Sequence, residues 1–183
     1  MSFTYSQQQL AIFDAIASGK SPVLKIKATA GASKTSSLTE AVARYKRIEH
    51  NAKVLYLVFG NLASKEARAE FSTNAVVSTL HAYAFSKVVK QYGLGEVKNF
   101  LTWQDIPKTV RRPFGKDAEI ISIIDDYCKS KFITMDSYVD SIDQDDFQFS
   151  LIPAVKQILN LMATGAMPIT HAFYLKLYHI LIL

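Results

Sequence analysis

Ala28-Thr29-Ala30-Gly31-Ala32-Ser33-Lys34-Thr35 follows a short apolar run, Val23-Leu24-Lys25-Ile26, and leads into a segment with helical spacing. The order of small residues, lysine and hydroxyl is close to the phosphate-binding pattern G-x-x-x-x-G-K-[ST]. In that pattern backbone N–H groups wrap nucleotide phosphates, a lysine reaches the β- and γ-phosphates, and a hydroxyl at a helix N-terminus meets Mg²⁺. Lys34 and Thr35 stand in those two roles, while Ala28 and Ser33 occupy the positions of the two glycines. Glycine serves there because backbone must approach phosphate closely, often at dihedrals that a Cβ makes costly. Ser33 therefore predicts weakened nucleotide binding. The alternative reading is a strand-to-helix turn of small residues with a solvated lysine.

Outward from this loop, the chain has the size of one domain, or of one domain with an inserted subdomain. Its 183 residues are 49% hydrophobic, enough for a sizeable core. The 21 basic and 16 acidic side chains leave a net charge of +5. The excess is uneven: residues 1–90 carry 12 Lys/Arg against 5 Asp/Glu, and residues 91–183 carry 9 against 11. The basic half also bears the loop, which suits a polyanionic partner, although a modest excess is also what a soluble surface carries. Cys128 is the one cysteine, which excludes an internal disulfide and reads as a small apolar packing residue. With no signal-type segment after Met1 and no apolar run of about 18 residues, the sequence predicts an intracellular protein with no membrane partner, cytoplasmic or, in a eukaryote, nuclear.

Hydrophobic periodicity predicts alternating elements in the first half. Helices are expected over 7–18, 34–47, 62–71 and 80–90, and strands over 22–28, 54–59 and 75–77. Short, nearly all-apolar strands between helices predict a parallel sheet covered on both faces, with ligands beyond the carboxyl ends of the strands. From 91 to 168 the strand signal fades and helical pieces dominate, at 118–129 and 151–163. The fold expected is therefore α/β, with a helical insertion.

Several segments, in order, resemble the motifs of UvrD/Rep-type superfamily 1 DNA helicases. Phe3-Thr4-Tyr5-Ser6-Gln7 is similar to their Q-motif, and Ala28-x-Ala-Gly-Ala-x-Lys-Thr to motif I. Val58-Phe59-Gly60-Asn61-Leu62-Ala63-Ser64-Lys65-Glu66-Ala67 resembles motif Ia, and Ser78-Thr79-Leu80-His81-Ala82 resembles motif Ib. Ile169-Thr170-His171-Ala172-Phe173-Tyr174-Leu175-Lys176-Leu177 is similar to a segment just before motif II in the F-box DNA helicase branch. The resemblance implies a P-loop NTPase of RecA-like fold, with residues 1–90 and 169–183 as an incomplete 1A-like core and 91–168 as a helical 1B-like insertion.

Roles follow from the resemblance residue by residue. Gln7 would read the adenine, since a carboxamide can pair with the N6/N7 edge. Ala30, Gly31, Ala32, Ser33, Lys34, Thr35 and Ser36 would surround the phosphates of ATP, with Lys34 and Thr35 as the catalytic pair and the Thr35 hydroxyl on Mg²⁺. Phe59, Asn61, Lys65, Thr79 and His81 would meet single-stranded DNA, because such channels combine aromatic platforms with basic grooves. Lys65 or Arg68 would add charge nearby. Each has a plainer alternative: Gln7 as one of three consecutive solvated glutamines, Phe59 as a buried strand end, His81 as a core or capping histidine. Asp140, Asp143, Asp145 and Asp146 read as a solvated loop rather than a metal site.

Superfamily 1 helicases also need a strand ending in Asp-Glu and a second RecA-like domain. The one run resembling such a strand, Ile120-Ile121-Ser122-Ile123-Ile124-Asp125-Asp126, continues at helical spacing through Tyr127 and Cys128 and is expected to be helix. The resemblance thus implies the N-terminal part of a 3′-to-5′ ATP-dependent DNA helicase ending before motif II, with replication or repair proteins as further partners. The rival reading is a catalytically inactive helicase relic that binds DNA or a partner protein.

Overall fold

The computed structural model describes residues 4–20, 23–29, 31–71, 74–111, 116–142 and 149–182. The chain divides into two compact units, Met1–Leu80 and His81–Leu183.

In the first unit, helix α1 (Gln7–Ser18) starts at Ser6, whose extended backbone and side chain form a capping box with Gln9. It stops where Gly19 turns left-handed and its N–H bonds back to Ile16. Helix α2 (Lys34–Ile48) begins at Ser33 and closes with Lys46 and Arg47 in its last turn, where cations complement the helix dipole. The two helices pack against each other, and Phe13 of α1 and Ala41 of α2 are both buried. The Arg44 guanidinium lies 4.5 Å from the Phe13 ring centroid and 5.3 Å from that of Tyr5, and Glu40 accepts from Arg44 Nε at 2.8 Å. Strand β1 (Leu55–Val58) pairs in parallel with β2 (Val76–Thr79), and helix α3 (Asn61–Phe71) connects them. Ala67, Phe71 and Val77 form the core beneath, with Leu38, Val42, Tyr56 and Val58 packed against it. The Tyr56 and Phe71 rings lie 4.3 Å apart. Burying a side chain such as Phe71 contributes about 1.5–3 kcal/mol.

The strand expected over 22–28 is not formed at residues 23–28, and Pro22 lies outside the described residues. Among the described residues the first unit's ladder consists of β1 and β2 alone, and a strand exists only where a neighbouring backbone completes its hydrogen bonds. Val23, Leu24 and Ile26 are accordingly exposed.

The second unit is mainly helical. Helices α4 (Leu80–Lys87) and α5 (Val89–Tyr92) replace the single helix expected over 80–90, and α6 (Asp117–Lys129), α7 (Met135–Val139), α8 (Ile152–Ala163) and α9 (His171–Leu181) follow. Residues 120–126 lie within α6, as their periodicity predicts, with Ile120, Ile123 and Ile124 facing the core. Asp117 and Glu119 in its first turn and Lys129 in its last suit the helix dipole. A short parallel ladder joins β3 (Val97–Lys98) to β4 (Ile169–Thr170), a pairing that sequence periodicity does not reveal. The core gathers Ile120, Val155, Ile158, Met162, Ile169 and Tyr174, all nearly inaccessible.

Lys176 is buried within this unit. Its Nζ donates to the Ser130 carbonyl (2.8 Å), the Phe132 carbonyl (2.7 Å) and Ser130 Oγ (3.3 Å), and lies 4.5 Å from the Tyr127 ring centroid. It thereby ties α9 to the turn that ends α6, and burial pulls its pKa below the usual lysine value. Burial likewise pushes the Cys128 thiol up to about 12, so it is an inert packing residue. Among the described residues no helix is long and apolar enough to cross a membrane.

Candidate functional site

The loop before α2 is built around two left-handed residues, Gly31 (φ 76°) and Ser33 (φ 50°, ψ 36°). Ser33 is the one non-glycine residue with positive φ among the described residues. Its conformation is the one in which an L side chain meets a steric penalty and glycine does not, matching the place of the second pattern glycine. Its side chain makes no capping bond to the helix, so the first turn of α2 presents N–H groups that lack intrahelical partners.

Lys34 folds back over this loop, donating from Nζ to the carbonyls of Ala28 (3.3 Å) and Thr29 (2.5 Å). The Ala32 N–H reaches the Thr29 carbonyl at 3.4 Å. Ser37, one turn into α2, bonds the Ser33 carbonyl twice, from its N–H at 2.9 Å and from its hydroxyl at 2.8 Å. Gln9 of α1 completes the support, with its Nε2 donating to Ser37 Oγ at 2.8 Å.

A cavity of about 750 Å³ lies against these residues, lined by Ser6, Gln8, Gln9 and Ile12 of the first helix and its cap, residues 24–28, and Ala32, Ser33, Lys34, Ser37 and Leu38. Lys25, Lys27 and Lys34 all line it, and among the described residues no carboxylate does. That charge set fits a polyphosphate: three ammonium groups and helix-terminal N–H donors, with no repelling anion. It fits Mg²⁺ less completely. Thr35 stands half-buried at the start of α2, but no cluster of three or more His, Cys, Asp or Glu able to hold a metal is found among the described residues.

The site residues expected from the sequence divide by place. Gly31, Ala32, Ser33, Lys34, Thr35 and Ser36 lie together in the loop and first turn of α2; Ala30 lies outside the described residues. Gln7 is exposed and does not line the cavity, whereas Gln9 does. Phe59, Asn61 and Thr79 meet at the carboxyl end of the β1–β2 ladder, because Val58 pairs with Thr79 and both strands end there. Phe59 is 91% exposed, so its reading as a buried strand end is excluded. Gly60, with φ 94°, turns the chain into α3, where Asn61 and Lys65 stand one turn apart and both exposed. His81 belongs to the second unit and is exposed, 6.2 Å from the His171 ring and 6.4 Å from the Tyr174 ring. His171 Nδ1 and the Tyr174 hydroxyl share a hydrogen bond of 2.9 Å. Asp125 faces Lys129 across one helical turn as an ion pair. Asp143, Asp145 and Asp146 lie outside the described residues, as does Phe3.

Sequence reasoning missed Gln9 and the lysines at 25 and 27. A signal for Gln9 was present: Ser6 and Gln9 are spaced as a capping box, which fixes a helix start and aims the third residue's side chain back at it.

Comparison with known proteins gives a partial similarity to a DNA helicase. The relative is F-box DNA helicase protein 1 of Schizosaccharomyces pombe, 34% identical over 76 residues, which is 42% of this chain and 8% of that protein's length. No family model matches the chain, and no solved structure matches it.

Proposed function

We propose that this chain is the nucleotide- and single-strand-binding portion of an ATP-dependent DNA helicase of the UvrD/Rep type, with a RecA-like core. The observation that carries the proposal is the loop before α2: Lys34 at the helix start, Ser33 in the conformation of the pattern's glycine, and a lysine-lined cavity without a described carboxylate. The partial likeness to a DNA helicase and the order of the five motifs support the same reading. Phosphates of ATP bind the N–H groups at the start of α2, with Lys34 moving from the loop carbonyls to the phosphate oxygens; the Thr35 hydroxyl is the group that would hold Mg²⁺, whose charge would offset that of the phosphates. DNA lies over Phe59 at the strand ends, where Asn61, Lys65 and Thr79 meet its backbone. His81, in the second unit, supplies a DNA contact of its own. In a complete helicase this binding serves 3′-to-5′ translocation.

A second reading is a binding protein without turnover. The absence of a carboxylate from the cavity lining, among the described residues, favours it for this chain acting alone, because phosphoryl transfer relies on a held metal ion and a positioned water. Titration of the 183-residue chain with fluorescent ATP tests the shared premise. Lys34→Ala abolishes binding if the ammonium holds phosphate, and equal affinity in both forms would remove nucleotide from the account.

A further inference from the structure

We infer that Gln9 is a positioning residue for the phosphate loop, acting through Ser37 to hold Ser33 in its left-handed conformation; the inference rests on the nucleotide reading above. Three bonds run in one direction. Ser6 N–H donates to Gln9 Oε1 at 2.9 Å, Gln9 Nε2 donates to Ser37 Oγ at 2.8 Å, and Ser37 Oγ donates to the Ser33 carbonyl at 2.8 Å. The polarity is forced at each step. A backbone N–H can be accepted only by the carboxamide oxygen, which turns the NH₂ group toward Ser37. The Ser37 hydroxyl has one proton; receiving a bond from Gln9 on a lone pair leaves that proton for Ser33.

The consequence concerns a residue that lacks the usual freedom. With glycine before the lysine the loop would adopt the φ of 50° at little cost, whereas a residue with a Cβ needs its surroundings to hold it there. Ser37 is buried at 6% exposure and grips the Ser33 carbonyl from both its N–H and its hydroxyl. Gln9, from a different helix, locks that hydroxyl's orientation, and its helix is in turn seated by Phe13 on α2. The tie acts on loop shape and not on the base, so it bears equally on any polyphosphate.

The test uses the full chain and neutral substitutions, with ATP, GTP and inorganic tripolyphosphate as probes in calorimetric titration. Gln9→Met and Ser37→Ala each weaken all three ligands about threefold to tenfold, the loss of one or two hydrogen bonds, and the double variant is little worse than the weaker-binding single one. In a Ser33→Gly background the same substitutions change affinity less than about twofold, since glycine needs no tie. Hydrogen exchange gives a readout without ligand: amides of residues 33–37 exchange faster in both single variants, and the acceleration shrinks with Gly at 33. Losses that multiply in the double variant, or that persist undiminished beside Ser33→Gly, would overturn the inference, as would unchanged exchange. If the unmodified chain binds none of the three ligands, the nucleotide reading falls, and the exchange pattern alone still decides whether Gln9 holds the loop.

Discussion

Ser33 stands where its Cβ is a liability: a left-handed residue directly before the lysine that faces the cavity. Holding such a conformation costs an L-residue about 1–3 kcal/mol. Part of that cost is met by the Ser37 bonds, which are available before any ligand arrives. Ser33→Gly is therefore expected to tighten ATP binding by at most about 1–3 kcal/mol, the part of the cost that the Ser37 bonds leave unmet, as measured by titration with labelled nucleotide. Equal affinity in the two forms would show that the loop tolerates serine at no cost to the ligand. Lys34 differs at the same scale. Its place after small residues is the sequence pattern of a phosphate ligand, whereas its bonds to the Ala28 and Thr29 carbonyls come only from the loop's closure in space.

Among the elements, helix caps are local, although none of the three that follow was read from the sequence. Ser6 with Gln9, Thr170 accepting from the Phe173 N–H, and Thr134 accepting from the Ser137 N–H all follow from residues three apart. The loop after β3 is held differently, by Asp105. This carboxylate accepts from Lys98 Nζ at 2.5 Å, from the Thr102 N–H at 2.8 Å and from the Thr102 hydroxyl at 2.9 Å. Burial by itself raises the Asp105 pKa, but these bonds and the Lys98 charge outweigh it and leave the pKa below the ordinary 3.8. A carboxylate with a lowered folded pKa adds stability above its unfolded pKa and loses it as pH falls through the folded value. Asp105→Asn should thus lower stability at pH 7, with the difference from the unmodified chain narrowing as pH falls below about 4. Urea melts at pH 7, 4 and 3 measure this; a gap that stays constant with pH would mean that the carboxylate's charge contributes nothing.

On the scale of the whole molecule, each unit has its own core, and the basic excess belongs to the first. Residues 1–80 carry 10 Lys/Arg against 5 Asp/Glu, and residues 81–183 carry 11 against 11. Polyanion binding is therefore expected from the first unit, with Phe59 as its exposed aromatic. Fluorescence anisotropy should find single-stranded DNA preferred over duplex, affinity falling as salt rises, and Phe59→Ala weakening binding by about 1–3 kcal/mol if a base stacks there. Binding that ignores salt, or that Phe59→Ala leaves intact, would count against the nucleic-acid reading. What the sequence by itself determined is what short-range chemistry controls: the helices at 7–18, 34–47, 62–71 and 118–129, a strand within 54–59 (observed at Leu55–Val58), a strand near 75–77 (observed at Val76–Thr79), and a lysine and hydroxyl placed at a helix start. The tertiary structure alone decided which apolar runs pair. Residues 23–28 had the composition of a strand yet stay outside the β1–β2 ladder, while Val97–Lys98 and Ile169–Thr170, too short to show periodicity, pair across 72 positions of chain. It also decided that Gln9, and not its neighbour two residues earlier, reaches the loop. Pairing and side-chain reach depend on backbone groups distant in sequence, and a residue's own chemistry carries no record of which distant group will meet it.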